Sequence, residues 1–183
     1  MQKSFAEDKG DHYLLNGTKV FITNGSYADV YVVFAMTKKD VGTKGISAFI
    51  LEKGMQGFRF GTKEKKMGIR SSATYELVFE DCKVPKDNLL GKEGQGFKIA
   101  MSTLDGGRIG IAAQALGIAQ GAIDETVLYV QQRQQFGKRL SQFQNTQFEL
   151  AAMQTNVNAA RLLVYQAAWA KDAQEPYSHL AAM

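Results

Sequence analysis

The sequence predicts an α+β fold, in which an antiparallel β sandwich or barrel-like domain precedes an incomplete α-helical bundle. Three observations predict it. Before about residue 90, short runs rich in β-branched and aromatic residues alternate with Gly-containing turns, and no helical stretch separates them. After that point apolar residues recur at three- and four-residue steps to the last residue. Between the two, residues 86–93 mark a change of composition, which places a β domain at 1–90 and a helical domain at 91–183.

Residues up to about Asp11 are polar and are expected to be irregular. Tyr13-Leu14-Leu15 and residues 18–22 flank Asn16-Gly17, a dipeptide that supplies the two positive-φ residues of a type I′ turn, so a hairpin is expected there. A second turn follows at Thr23-Asn24-Gly25-Ser26. Residues 30–35, 45–51, 58–60 and 74–79 are strands by their β-branched and aromatic content, and Pro85 stops the last run. Residues 94–137 read as one long helix. Phe97, Met101, Leu104, Ile111, Ala115, Ile118, Ala122 and Tyr129 form its apolar stripe, with Arg108 inside it. Gly106 and Gly107 lie in mid-helix, where each is about 1 kcal/mol less favourable than Ala, and such a cost implies something pressed against the backbone.

A second helix opens near Ser141 or Asn145 and reaches Lys171 or Ala173. It carries one apolar face through Phe148, Ala152 and Leu162 and another through Met153, Val157 and Val164, which implies burial between several partners. Glu175-Pro176 starts a third helix, with proline in its first turn. Two full helices and a stub make an incomplete bundle. The chain is therefore expected to be a piece of a larger protein, or to have its missing helices supplied by partners.

Composition narrows the function classes. Hydrophobic content of 45% with 22% charged residues excludes disordered and fibrous classes. No apolar run approaches the roughly 18 residues that cross a bilayer, and the first residues lack the apolar core of a signal peptide, so the expectation is a cytoplasmic protein with no membrane partner. The net charge of +4 is carried by dispersed lysines without interleaved aromatic residues, which argues against nucleic acid. Cys82 is the single cysteine, and His12 and His179 are isolated, so neither a metal cluster nor a nucleophile–base pair is expected. Gly91, Gly94 and Gly96 have neither dinucleotide-fingerprint nor P-loop spacing and form a linker instead.

Three groups of residues could carry chemistry. Thr23, at a strand end beside a Gly-containing turn, either makes a local hydrogen bond or aims its hydroxyl at a ligand. Asp105 and Arg108 are either an intrahelical pair or a buried, ligand-facing one. Arg133 and Phe136 are either a solvated helix end with a core ring, or a fork for phosphate oxygens beside a ring that stacks on an adenine.

Taken together, LNGTKVFITNG (15–25), KMGIRSSATYELVFEDCKVPKDNLLG (66–91), GQGFKIAMSTLDGGRIGIAAQALGIAQGA (94–122) and RQQFGKRLSQFQ (133–144) resemble the flavin-dependent acyl-CoA dehydrogenase family. Four segments in this order on a β-then-α layout are highly specific, and their wording is most similar to short-chain, butyryl-CoA-type members. The resemblance implies α,β-dehydrogenation of an acyl-CoA thioester with FAD as cofactor and electron-transfer flavoprotein as electron acceptor. It implies that Phe21, Ile22 and Thr23 lie along the flavin, with Phe21 in place of the tryptophan many relatives carry. It also implies that Asp105 and Arg108 contact the CoA arm. Arg133, Phe136, Phe143 and Gln144 would reach the FAD of a neighbouring subunit in an obligate homo-oligomer, usually a dimer of dimers.

The sequence departs from the family in its catalytic residues, because the usual glutamate and the upstream flavin-binding loop have no counterpart in residues 1–183. Where some relatives place the base, directly before the arginine matching Arg108, Gly107 stands instead. No catalytic residue is therefore expected in this chain. The two readings are a fragment of a genuine dehydrogenase, and a truncated, non-catalytic module for flavin or CoA binding or for subunit assembly.

Overall fold

A computed structural model describes residues 3–183. They fall into two compact units, residues up to 101 and residues 102–183.

In the first unit, β1 (Phe5–Asp8), β2 (His12–Thr23), β3 (Val30–Met36), β4 (Ile46–Glu52), β5 (Phe58–Lys63), β6 (Thr74–Pro85) and β7 (Leu89–Leu90) form one sheet. Their order is β5-β6-β2-β1-β3-β4-β7. Every pairing is antiparallel except that of β1 with β3, which is parallel where Phe5 meets Met36. The sheet is open rather than closed into a barrel, with β5 and β7 at its edges. Strand alternation builds the core: Tyr31, Val33 and Ala35 are buried along β3 whereas Val30 and Val32 are exposed. With Leu15, Phe49, Leu51, Phe79, Cys82 and Val84 they form one cluster. Each of the two fully buried phenylalanines contributes on the order of 2–3 kcal/mol of transfer free energy.

The hairpin expected at Asn16-Gly17 does not exist. β2 runs straight through it, and the pairing with β6 shifts register between Leu15 and Gly17. Gly17 has φ +134°, far from the roughly +57° of a left-handed turn residue. A β carbon there would stand 2.7 Å from Ser4 Cα, so glycine admits the chain before β1 rather than a turn. The Asn16 side chain is committed across the bulge: its amide donates to Asp81 Oδ1 (3.0 Å) and its oxygen accepts from the Asp81 N–H (2.8 Å). Residues before Asp11 are likewise not irregular, since β1 pairs with β2 from Phe5 to Asp8. Four residues with a single fully buried one, Ala6, carry too little periodicity to show as a strand.

The glycine-rich linker lies against β4. The Gly94 N–H donates to Ser47 Oγ (2.9 Å), and the Tyr13 hydroxyl donates to Glu93 (2.8 Å). From it emerges α1 (Gly96–Gln132), followed by the short hairpin β8 (Gln134–Gln135) and β9 (Lys138–Arg139), then α2 (Gln144–Asp172) and α3 (Ser178–Ala182). The helix expected to continue to Gly137 ends at Gln132. Phe136 (φ +53°) and Gly137 (φ +77°) are the paired positive-φ residues of a two-residue hairpin turn, a geometry no helix accommodates. Pro176 precedes α3 instead of opening it.

In the second unit Leu116, Ala119, Ile123 and Val127 of α1 pack with Val157 and Val164 of α2. The apolar stripe of α1 faces elsewhere: Leu104, Ile111, Ile118 and Tyr129 are all exposed, as are Phe148 and Leu162 of α2. Periodicity assigns residues to faces, but which face meets a neighbour depends on where the neighbour lies.

Candidate functional site

Three separate groups of side chains are candidates, one in the first unit and two in the second, and each is a local arrangement of its own unit. The first is the end of β2. Pairing with β6 breaks register again between Lys19 and Ile22, so Val20 and Phe21 bulge out of the ladder. Phe21 holds φ +58°, an outlier for a bulky side chain, and its ring is 70% exposed. Ile22 is half-buried and packs on the core, while Thr23 is exposed beside it. The following turn is fixed by the Asn24 N–H, which donates to Ala73 O (2.8 Å). A cleft of about 460 Å³ opens here, lined by Lys19, Ile22, Thr23, Val30, Val32 and Leu77. Strain at an exposed aromatic beside a cleft is where ligand-binding geometry concentrates.

Lys19 lines the same cleft. It has no ion pair among the described residues, and burial pushes its ammonium down to about 8. A lone lysine in a strand carries no sequence signal that distinguishes this setting from a solvated one. Cys82 is buried and its thiol is pushed up to about 11, which leaves it a core residue and not a nucleophile. Among the described residues, no group of His, Cys, Asp and Glu could hold a metal ion.

The second group lies near the start of the helical unit. Arg108 Nη1 donates to Asp105 Oδ1 (3.3 Å), the intrahelical pair that the spacing allows. Asp105 also accepts from Ser178 Oγ at its other oxygen (2.7 Å), a partner 73 residues away that no local pattern announces. The Asp105 side chain is 15% exposed and that of Arg108 49%. Arg108 also borders a second groove of about 460 Å³, whose walls include Ile109, Ala112, Val164 and Leu180. The expected contact on the glycine pair is present at one position only. A β carbon on Gly106 would meet Lys171 Nζ at 3.3 Å, whereas one on Gly107 would have nothing within 4 Å.

The third group is the β8–β9 hairpin. It presents Phe136, 91% exposed at the turn, with Phe143 edge-on to it at 6.5 Å between ring centres. Lys138 lies over the Phe143 ring at 4.3 Å. Arg133 leads into the hairpin, its carbonyl accepting from the Leu140 N–H (2.9 Å), and its guanidinium has no ion pair among the described residues. Gln144 opens α2, exposed. These residues therefore share one small structure, separated from Arg108 by about 36 Å of helix at 1.5 Å per residue. The structure does not bring the second and third groups together around one ligand.

Among the described residues no helix is long and apolar enough to cross a membrane. Residues 1–82 match the family model for the acyl-CoA dehydrogenase middle domain, and residues 94–183 match that for the C-terminal domain. A short-chain specific acyl-CoA dehydrogenase of Clostridium acetobutylicum is 58% identical over 177 residues, which is 97% of this chain and 47% of that protein. The solved structure of butyryl-CoA dehydrogenase from Megasphaera elsdenii superposes with a TM-score of 0.92 at 58% identity, covering 99% of this chain and 48% of that one. A chain in a structure reported for the electron transferring flavoprotein of Acidaminococcus fermentans gives a TM-score of 0.91 at 64% identity, over 100% of this chain and 48% of that one. The chain thus spans about half the length of the relatives it matches.

Proposed function

Because the chain belongs to the acyl-CoA dehydrogenase family, with matches to both its middle and C-terminal domains, we propose that it contributes the flavin-facing strand and the CoA-facing helix of an FAD-dependent dehydrogenase of short-chain acyl-CoA thioesters. The observation that carries this reading is the bulge at Phe21. An exposed aromatic ring held at positive φ, beside an exposed hydroxyl and a partly apolar cleft, fits a flat heteroaromatic ring with polar atoms on its rim.

When bound, FAD supplies the acceptor for the two electrons that leave the substrate β-carbon as hydride. Phe21 and Ile22 exclude water from the ring, and the Thr23 hydroxyl offers a hydrogen bond to its rim. Arg108 offers the donors not engaged by Asp105 to the CoA arm. Asp105 itself is no proton acceptor for the substrate α-carbon: its two oxygens are engaged by Ser178 and Arg108, and Gly107 has no side chain. We place that base outside residues 1–183.

Arg133, Phe136, Phe143 and Gln144 lie about 36 Å of helix away from Arg108 and place an arginine and an exposed ring on one short segment, residue types suited to a pyrophosphate and an adenine. We assign them to the FAD of a second subunit, which makes the complete protein a homo-oligomer. The likeness to a chain solved in an electron transferring flavoprotein structure supports such a flavoprotein as the electron acceptor.

The test is anaerobic titration of the complete, purified polypeptide with butyryl-CoA. Bleaching of a flavin absorption band, with electrons recovered by electron-transfer flavoprotein, is the expected result. A protein that binds no FAD, or a flavin band left intact by acyl-CoA thioesters of four to eight carbons, would overturn the reading.

A further inference from the structure

The contact of Asp105 with Ser178 links the first residue of α3 to a side chain on α1, and its consequence lies in what it does to Arg108. A carboxylate paired only with an arginine three residues on, on the surface of one helix, is weakly held, and both side chains keep several rotamers. Here Ser178 Oγ takes one oxygen of Asp105 at 2.7 Å and leaves the other facing Arg108 at 3.3 Å. The carboxylate is thereby pinned from two directions, and at 15% exposure it has little room to turn. Arg108 keeps one donor on Asp105, its other N–H groups make no side-chain bond among the described residues, and its half-exposed side chain lines the groove that Ile109 and Leu180 also border.

We propose that Ser178 is a positioning residue for acyl-CoA: by holding Asp105 it fixes the Arg108 fork in the orientation that receives the polar atoms of the CoA arm. This rests on the reading of Asp105 and Arg108 as substrate-facing residues. The ligand class is an amide- and phosphate-bearing chain, for which a preoriented guanidinium loses less rotamer freedom on binding than a mobile one.

The experiment compares Ser178→Ala, Ser178→Thr and Asp105→Ala in the flavin-loaded, complete protein, measuring KM and kcat for butyryl-CoA, the calorimetric Kd for CoA, and the melting temperature. Ser178→Ala is expected to raise KM and Kd roughly three- to tenfold, the loss of one charge-assisted hydrogen bond, with kcat within twofold. Ser178→Thr retains the hydroxyl and is expected to restore both constants. If Ser178→Ala leaves KM and Kd unchanged while Asp105→Ala raises them, the positioning role is overturned and the substrate-facing reading stands. If Asp105→Ala changes neither constant, the reading beneath it fails as well. If Ser178→Ala and Ser178→Thr lose binding equally, and in step with melting temperature, Ser178 only anchors α3 and the proposal is overturned.

Discussion

Replacing Phe21 with asparagine separates a structural role for this ring from a binding role. The ring is 70% exposed, so only about 60 Å² of its roughly 200 Å² is covered, and its loss costs about 1.5 kcal/mol at 25 cal/mol per Å². Against this, the +58° φ costs a bulky residue about 1–2 kcal/mol, and asparagine tolerates the left-handed region. The two effects offset, and the apoprotein variant is expected to keep its unfolding free energy within about 1 kcal/mol. Flavin affinity should fall, because an aromatic ring against a planar heterocycle is worth about 1–3 kcal/mol, a roughly five- to 150-fold rise in Kd. Urea unfolding of the apoprotein followed by circular dichroism gives the first quantity, and quenching of FAD fluorescence gives the second. A stability loss above about 3 kcal/mol would show that Phe21 is a packing residue after all. A Kd unchanged within twofold would refute its place against the flavin.

Lys19→Met tests the cleft by pH. Its ammonium titrates near 8 in the fold instead of near 10.5, so between those values the unfolded chain binds a proton the folded chain has released, and stability rises with pH across that window. At pH 7 the charged lysine is a burden. The substitution should stabilise the apoprotein there by on the order of 1 kcal/mol, discounted for the solvent the side chain still reaches, and the advantage should vanish by about pH 10.5. Urea unfolding at pH 7, 9 and 10.5 checks this, and a difference independent of pH would contradict it. Gly107→Ala should raise the stability of the helical unit by about 1 kcal/mol, since nothing beyond the local helix backbone stands within 4 Å of the added carbon. The same carbon should weaken acyl-CoA binding in the complete protein if the thioester passes over that surface; tighter or equal binding would remove Gly107 from the substrate path.

Glycine and asparagine signals in this chain show where local chemistry suffices and where it does not. Asn24-Gly25 makes the turn its residue types announce, with Asn24 at φ +58°. Asn16-Gly17, the same dipeptide, makes none, because Asp81 on β6 satisfies both ends of the Asn16 amide and the chain before β1 occupies the space a hairpin would need. A two-residue hairpin turns instead at Phe136-Gly137, a pair in which only the glycine is a favoured turn residue. The Phe136 ring there is exposed and does not belong to the core. Thr23, Asp105, Arg108 and Arg133 could be named as candidates from residue type and position alone, and so could β3 to β6 and the extent of α2 within a residue or two, whereas the two-residue strands β7, β8 and β9 are too short to carry a periodicity. Lys19 and Ser178 could not, since the cleft around one and the carboxylate beside the other belong to elements far off in sequence.

The sequence by itself determined the α+β class, the order of most elements and the family, because periodicity, composition and ordered motifs are properties of neighbouring residues. Only the tertiary structure decided that β2 is one strand bulged at Gly17 and Phe21, that the Leu116–Ile123 face of α1 packs while the Ile111–Ile118 face stays bare, and that Asp105 answers to Ser178. Each of these depends on a partner brought near by the fold across tens of residues, and the free energy that selects among faces, bulges and rotamers resides in those contacts.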